Sequence, residues 1–185
     1  PEHEKESLDV VRRYRVDGLI AVPVNETSAD WGGLIRKLGI PTVVITKKVE
    51  DMDSVYVAHE EAGAQLGEHL LEEGFEEYIF LGHTGDIKYQ GFAETLRKSD
   101  PGFVRRMTVI SSKQEEEVRR ALEQYYSRSR KRTGIFAYND RRAVQMLGIL
   151  QRMGVKVPEQ AGLVGFDNTY MCEFLYPRLS SVTQP

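Results

Sequence analysis

The chain has 185 residues, 41% of them hydrophobic and 29% charged, enough for a sizeable core in one or two lobes. A formal net charge of −3 removes any bulk electrostatic argument for nucleic-acid binding, and no run approaches the roughly 18 apolar residues that span a bilayer. The opening PEHEKESLDVV lacks the basic and apolar regions of a signal peptide, and a single cysteine, Cys172, rules out an internal disulfide and fits a reducing cytoplasm. In chain order, apolar residues recur at helical spacing at Leu8, Val11 and Tyr14, and a strand-like run follows at residues 18–22. Trp31, Leu34, Ile35 and Leu38 predict the next helix, with Trp31 as a core residue before a ligand stacker, and Thr42–Thr46 the next strand. The alternation continues with helices at Ala62, Leu66 and Leu70, at Tyr89, Phe92, Ala93 and Leu96, and at Val118, Leu122 and Tyr125. Strands are predicted between them at residues 78–82 and 106–110. Such strict alternation predicts parallel sheets with helices on both faces.

The segment from Thr133 to Asn168 carries most of the chemistry. Residues 134–138 and 162–166 are short apolar runs that suit buried parallel strands, and Ala143, Met146, Leu147 and Leu150 give the helix between them one buried face. Gly154 is expected to stop that helix, and Pro158 to keep the following loop extended. Ligands of such units bind beyond the carboxyl ends of the strands, where Asn139, Asp140, Asp167 and Asn168 fall. Asn139 or Asp140 could equally cap the helix, and Asp167 form a turn. The basic run YYSRSRKR, Tyr125 to Arg132, is best explained as a helix face leading into a solvated loop before the strand at Gly134, rather than as a nucleic-acid patch.

FAYND, Ala143, GVKVPEQAGLVGFDN and LSSVTQP, taken in order, resemble the effector-binding domain of the lactose and galactose repressor (LacI/GalR) family of bacterial transcription regulators. Upstream, VDGLIAV, GIPTVVI and a Gly74-Phe75 followed by YIFLG match the same family in the same order. The resemblance implies an α/β, two-lobed periplasmic-binding-protein-like fold, with residues 1–57 a partial N-terminal lobe and 58–185 the C-terminal lobe. Before residue 57 two helices and two strands are predicted, too few for a covered and paired sheet, so the N-terminal lobe is expected to be incomplete in this chain.

The same resemblance implies a cytoplasmic sensor, not an enzyme. A sugar or related effector binds in the cleft between lobes, operator DNA is contacted through a helix-turn-helix segment absent from this sequence, and the protein is a homodimer without membrane attachment or cofactor. Asn139 and Asp167 match effector-contacting positions of the family. The third contact is usually an arginine in R-x-x-G-F, where this chain has Lys88-Tyr89-Gln90-Gly91-Phe92, so Lys88 is the expected ligand residue, with an exposed helix-start lysine as the alternative. Thr46 and Ala58 stand where the family usually carries acids, which widens the ligand classes to phosphorylated, acidic or less polar molecules. The alternative function is a solute-binding receptor of a sugar transport system, which shares the fold. His3, His59, His69 and His83 show no metal-ligand spacing, so no metal is expected, and neither a phosphate-binding glycine loop nor a G-x-S-x-G nucleophile motif is present.

Overall fold

The computed structural model describes residues 2–23, 31–46 and 48–184. The side chains of His3 and Trp31, weighed above as a metal ligand and as a core residue, lie outside what is described. The chain divides into two compact units, residues 1–57 and 58–185.

In the first unit α1 (Glu2–Tyr14) and α2 (Trp31–Arg36) accompany β1 (Leu19–Ala21), β2 (Thr42–Thr46) and β3 (Asp53–Tyr56), a parallel sheet of order β1-β2-β3. Ile35 and Val44 are buried together with Leu8, Leu19, Ala21, Leu38, Val49 and Met52 packed around them. Strand alternation sends Ile20 and Val55 to the other face, where they are 73% and 66% exposed. Strand β3 corrects the expected pair of strands. Asp53 and Ser54 give it little intrinsic strand preference, and it is pinned by parallel pairing of Ser54 with Val44 and Val55 with Ile45.

The second unit is a five-stranded parallel sheet of order β5-β4-β6-β7-β8, with β4 Glu77–Leu81, β5 Met107–Ile110, β6 Thr133–Ala137, β7 Ala161–Asp167 and β8 Ser180–Thr183. Its helices are α3 (His59–Glu72), α4 (Ile87–Ser99), α5 (Glu115–Arg128) and α6 (Asp140–Arg152). Helices α5 and α6 cover one face, burying Val118, Leu122, Met146 and Leu150 against Ile79, Leu81 and Ile135. On the other face Phe92 of α4 stacks edge-on against Phe136 at 5.2 Å, and Phe136 against Phe80 at 5.1 Å. Covered on both sides, β6 is buried along its whole length, which is why it reads as an uninterrupted apolar run.

Gly154 does end α6, at φ 72°, where its N–H and that of Val155 take up the last carbonyls of the helix. The loop beyond is not extended as expected from Pro158. Residues 157–160 form a turn, closed by the Gln160 N–H on the Lys156 carbonyl at 2.9 Å. The basic run passes as expected from the end of a helix into a solvated loop, with Arg128, Arg130, Lys131 and Arg132 all exposed. Its first four residues are the last turn of α5, where the Tyr125 hydroxyl donates to Glu77 at 2.6 Å. Arg132 lies 4.6 Å from the Phe75 ring and donates to the Glu73 carbonyl at 3.0 Å. Strand β8 was not foreseen as a strand; it pairs in parallel with β7 from Val164–Ser180 to Asp167–Thr183.

Candidate functional site

Because every strand of the second unit runs the same way, β4 to β8 all end at one edge, and the loops leaving that edge carry the polar side chains. A helix begins with N–H groups that have no partner within it. At α6 the Asn139 side-chain carbonyl accepts from the Arg142 N–H at 3.0 Å, so Asn139 is the cap, and what the cap leaves over is the side-chain NH2, a donor. Asp140 is therefore not the cap. It is fully buried at the first position of α6, accepting the Thr169 N–H at 2.6 Å and the Ser181 hydroxyl at 2.5 Å. A Cβ at Gly165 would come within 2.3 Å of that carboxylate, so glycine there is what lets Asp140 tie β7, β8 and α6 together. The helix N-terminus supplies the positive potential that a buried carboxylate needs.

Lys88, the second residue of α4, is not an exposed helix-start lysine. Its ammonium donates to the Tyr138 carbonyl at 3.0 Å and lies 4.0 Å from the centre of the buried Phe166 ring. Burial draws its pKa below the usual lysine value, while Asp86 and Asp167 pull the other way. Asp167 closes β7 at φ 105°, followed by Asn168 at φ 45°, two non-glycine residues in left-handed backbone. Such geometry costs on the order of 1–3 kcal/mol per residue and persists only where surroundings enforce it. Gln184 enforces it by donating to the Asp167 carboxylate, and Asn168 donates to Ser181 at 3.0 Å and Thr183 at 2.9 Å. Burial raises the Asp167 pKa above the usual aspartate value, against the opposing pull of Lys88 and the Gln184 hydrogen bond.

The structure thus brings Lys88 against the residues next to both other expected ligands: Tyr138, beside Asn139, and Phe166, beside Asp167. One residue that sequence reasoning set aside joins them. His59, the first residue of α3, tilts against Phe166 at 5.5 Å between ring centres. Burial first and then Lys88 lower its pKa, with Asp86 and Asp167 acting in the opposite sense. The signal that places it there is a pair of glycines. A Cβ at Gly63 would lie 2.0 Å from the Lys88 carbonyl oxygen, and one at Gly91 would lie 1.9 Å from that of Glu60. Helices α3 and α4 cross almost backbone to backbone, and that contact carries His59 to the neighbourhood of Lys88. A carboxylate acceptor, an ammonium and an amide donor at one strand-end edge can pair with hydroxyl groups that must each find a partner once out of water. Among the described residues no group of His, Cys, Asp and Glu side chains could hold a metal ion.

A doubly covered parallel sheet with polar side chains gathered at its strand ends is the architecture of an α/β small-molecule-binding domain. The chain belongs to the family of periplasmic binding protein-like domains, which its residues 68–185 match. The resemblance to LacI/GalR regulators read from the motifs is borne out over the whole chain. The chain is 25% identical over 198 residues to the arabinose metabolism transcriptional repressor of Halalkalibacterium halodurans, covering 100% of this chain and 52% of that protein. It is 29% identical over 192 residues to catabolite control protein A of Staphylococcus xylosus, covering 100% and 57%. Among solved structures it resembles a periplasmic binding protein/LacI transcriptional regulator from Alkaliphilus metalliredigens complexed with D-xylulofuranose, with 25% identity, a TM-score of 0.76, and 100% and 69% of the two chains covered. A LacI family regulator from Enterococcus faecium with bound ribose matches at 25% identity and TM-score 0.80, covering 97% and 69%. The chain spans about half the length of the curated relatives it matches. No described helix is long and apolar enough to cross a membrane.

Proposed function

We propose that this chain is the small-molecule-sensing part of a cytoplasmic DNA-binding transcription regulator and not an enzyme, residues 1–57 forming part of an N-terminal lobe and residues 58–185 the C-terminal lobe. The observation that carries this is the coincidence of two things. Relatives matching over the whole chain bear the names of transcriptional repressors and regulators, and at the strand-end edge of the second unit Lys88 meets the Tyr138 carbonyl, beside Asn139, and the Phe166 ring, beside Asp167. Asp167 accepts from ligand hydroxyls, and the Asn139 NH2 and the N–H groups that Lys88 has to spare donate to them. The relatives' ligands, ribose and D-xylulofuranose, make a sugar or closely related metabolite the effector class. Operator DNA is contacted by a segment outside this sequence, and effector binding shifts operator affinity by a coupling of about 1–3 kcal/mol. The protein acts as a homodimer, since paired half-sites require a two-fold partner.

The test is a thermal-shift screen of the full-length protein against sugars, sugar phosphates, nucleobases and organic acids. A ligand at about 100 times its Kd stabilises by roughly 2.7 kcal/mol, an easily measured shift. The expected result is a ligand whose shift disappears in Asp167→Ala and which changes operator affinity. A ligand that binds without changing operator affinity would defeat the regulatory role; a shift unaltered in folded Asp167→Ala would remove Asp167 from the site.

A further inference from the structure

Among the described residues β5 is an edge strand of the five-stranded sheet, paired with β4 alone. In a parallel pair alternate residues turn both of their backbone groups toward the neighbouring strand, and those between them turn away from it. The Gly82 N–H takes the Ile110 carbonyl at 3.0 Å, so Thr108 and Ile110 face β4, and Met107 and Val109 present their N–H and carbonyl groups to the open side. Those outward groups meet no partner among the described residues.

The open side is a groove of about 590 Å³. Residues 108–112 form one wall, and Glu117, Ala121, Gln124, Tyr125 and Arg128, a single stripe of α5 at helical spacing, form the other. A free strand edge flanked by a helix is the receptor half of strand addition, in which an extended peptide takes main-chain hydrogen bonds from the edge and side-chain contacts from the walls.

The charge of the walls selects the peptide. Tyr125 reaches Glu77, whose neighbour Tyr78 pairs with Met107, so the end of α5 lies beside the start of β5. There Arg105, Arg106 and Arg128 line the groove. Arg106 is paired with Asp100, whereas Arg105 and Arg128 are exposed and their guanidinium groups have no partner among the described residues. Glu77 accepts from the Tyr125 hydroxyl at 2.6 Å, and at the far end Glu117 accepts from the Ser112 hydroxyl at 2.5 Å. The groove is therefore basic where β5 starts and carries a carboxylate where it ends.

We infer that the β5 edge and the α5 stripe form a docking groove for an extended segment of a partner protein, acidic at the end that lies beside Arg105, Arg106 and Arg128. Val109 pairs with the backbone of that segment, and the two free arginines set its charge and direction. None of Lys88, Asn139 and Asp167 lines this groove, so it is a second site that stands apart from the effector reading.

The experiment is fluorescence anisotropy of the full-length protein with a short labelled peptide of alternating threonine and valine that carries three glutamates at one end, made in both chain directions. Counterparts carry three lysines instead, or are methylated on alternate backbone nitrogens, one set at a time. The expected result is acidic-peptide binding at least tenfold tighter than that of the lysine peptide, a preference lost in Arg105→Glu/Arg128→Glu. One methylated set should weaken binding at least tenfold and the other leave it unchanged, because only alternate amides of an extended chain face β5. Val109→Pro removes an outward N–H and no bond to β4, so it should lose the peptide while melting without ligand like the parent. The methylated peptides test the same backbone pairing on the unaltered protein. Failure of the acidic peptide to bind, equal weakening by both methylated sets, or binding that survives in Arg105→Glu/Arg128→Glu overturns the groove. Self-association of the parent that Val109→Pro abolishes would give the edge to a second copy of this chain and overturn the acidic partner.

Discussion

Asp167 links the fold to the proposed effector site. Its carboxyl is held above its usual value chiefly by burial, while Lys88 and Gln184 favour the charged form without cancelling that effect. A carboxyl whose pKa is raised on folding contributes stability that is fully present below the unfolded value and is lost as pH rises through the folded value. A ligand hydroxyl that donates to this carboxylate needs the ionised form, so binding and ionisation favour each other. Effector affinity should therefore fall as pH drops through the raised value, approaching tenfold per pH unit below it, and binding should release a proton. Calorimetry in two buffers of different ionisation enthalpy detects that proton. Asp167→Asn should flatten the profile and abolish the release, and a wild-type affinity independent of pH between about 4 and 7 would show that Asp167 does not accept from the ligand.

At the scale of elements, the site depends on the crossing of α3 and α4. The Lys88 carbonyl occupies the space where a Gly63 side chain would stand, so even alanine there must push two helix backbones apart. Overpacking of this kind costs about 1–3 kcal/mol, more than the roughly 1 kcal/mol by which alanine improves on glycine inside a helix. Gly63→Ala should lower the urea midpoint and weaken the effector response, because His59 and Lys88 ride on the two helices. Gly148→Ala in α6, where only the Arg152 side chain lies within reach at 3.4 Å, should be neutral or stabilising. Equal destabilisation by both would show that the loss comes from the helix and not from the crossing. The crossing also marks the limit of what the sequence reveals. Helices and central strands were legible because burial on one or both faces imprints a period on them, and the placement of Lys88, Asn139 and Asp167 at the strand-end edge was legible because strand ends and familiar motifs flag it. Strands β3 and β8 carry too few apolar residues to announce themselves and depend on a neighbour's pairing. His59 comes near Lys88 through the tertiary contact that Gly63 and Gly91 permit, and those glycines do not by themselves say which two helices meet.

At the scale of the whole molecule, a group of exposed aromatic side chains marks a surface for a partner. The short helical turn Tyr170–Phe174 and the residues just after it leave Tyr170 78%, Phe174 80% and Tyr176 91% exposed, with the first two rings packed edge to face at 6.4 Å. Large aromatic side chains grouped at a surface are characteristic of the centres of protein interfaces, where they bury much area at little cost in side-chain entropy. The segment also leaves β7 directly after Asp167 and Asn168, so a partner seated on it would be two residues from the strained turn of the effector site. A homodimer closed through this patch would thus feel ligand binding through the backbone of residues 167–170. If the proposed homodimer closes through this patch, Phe174→Asp with Tyr176→Asp should convert it to monomer in light scattering and weaken operator binding at least tenfold. Both positions are exposed, so ligand-induced thermal shifts at Asp167 should persist. A doubly substituted protein that stays dimeric would move the interface elsewhere, and a monomer that holds the operator as tightly as the parent would remove the need for a two-fold regulator.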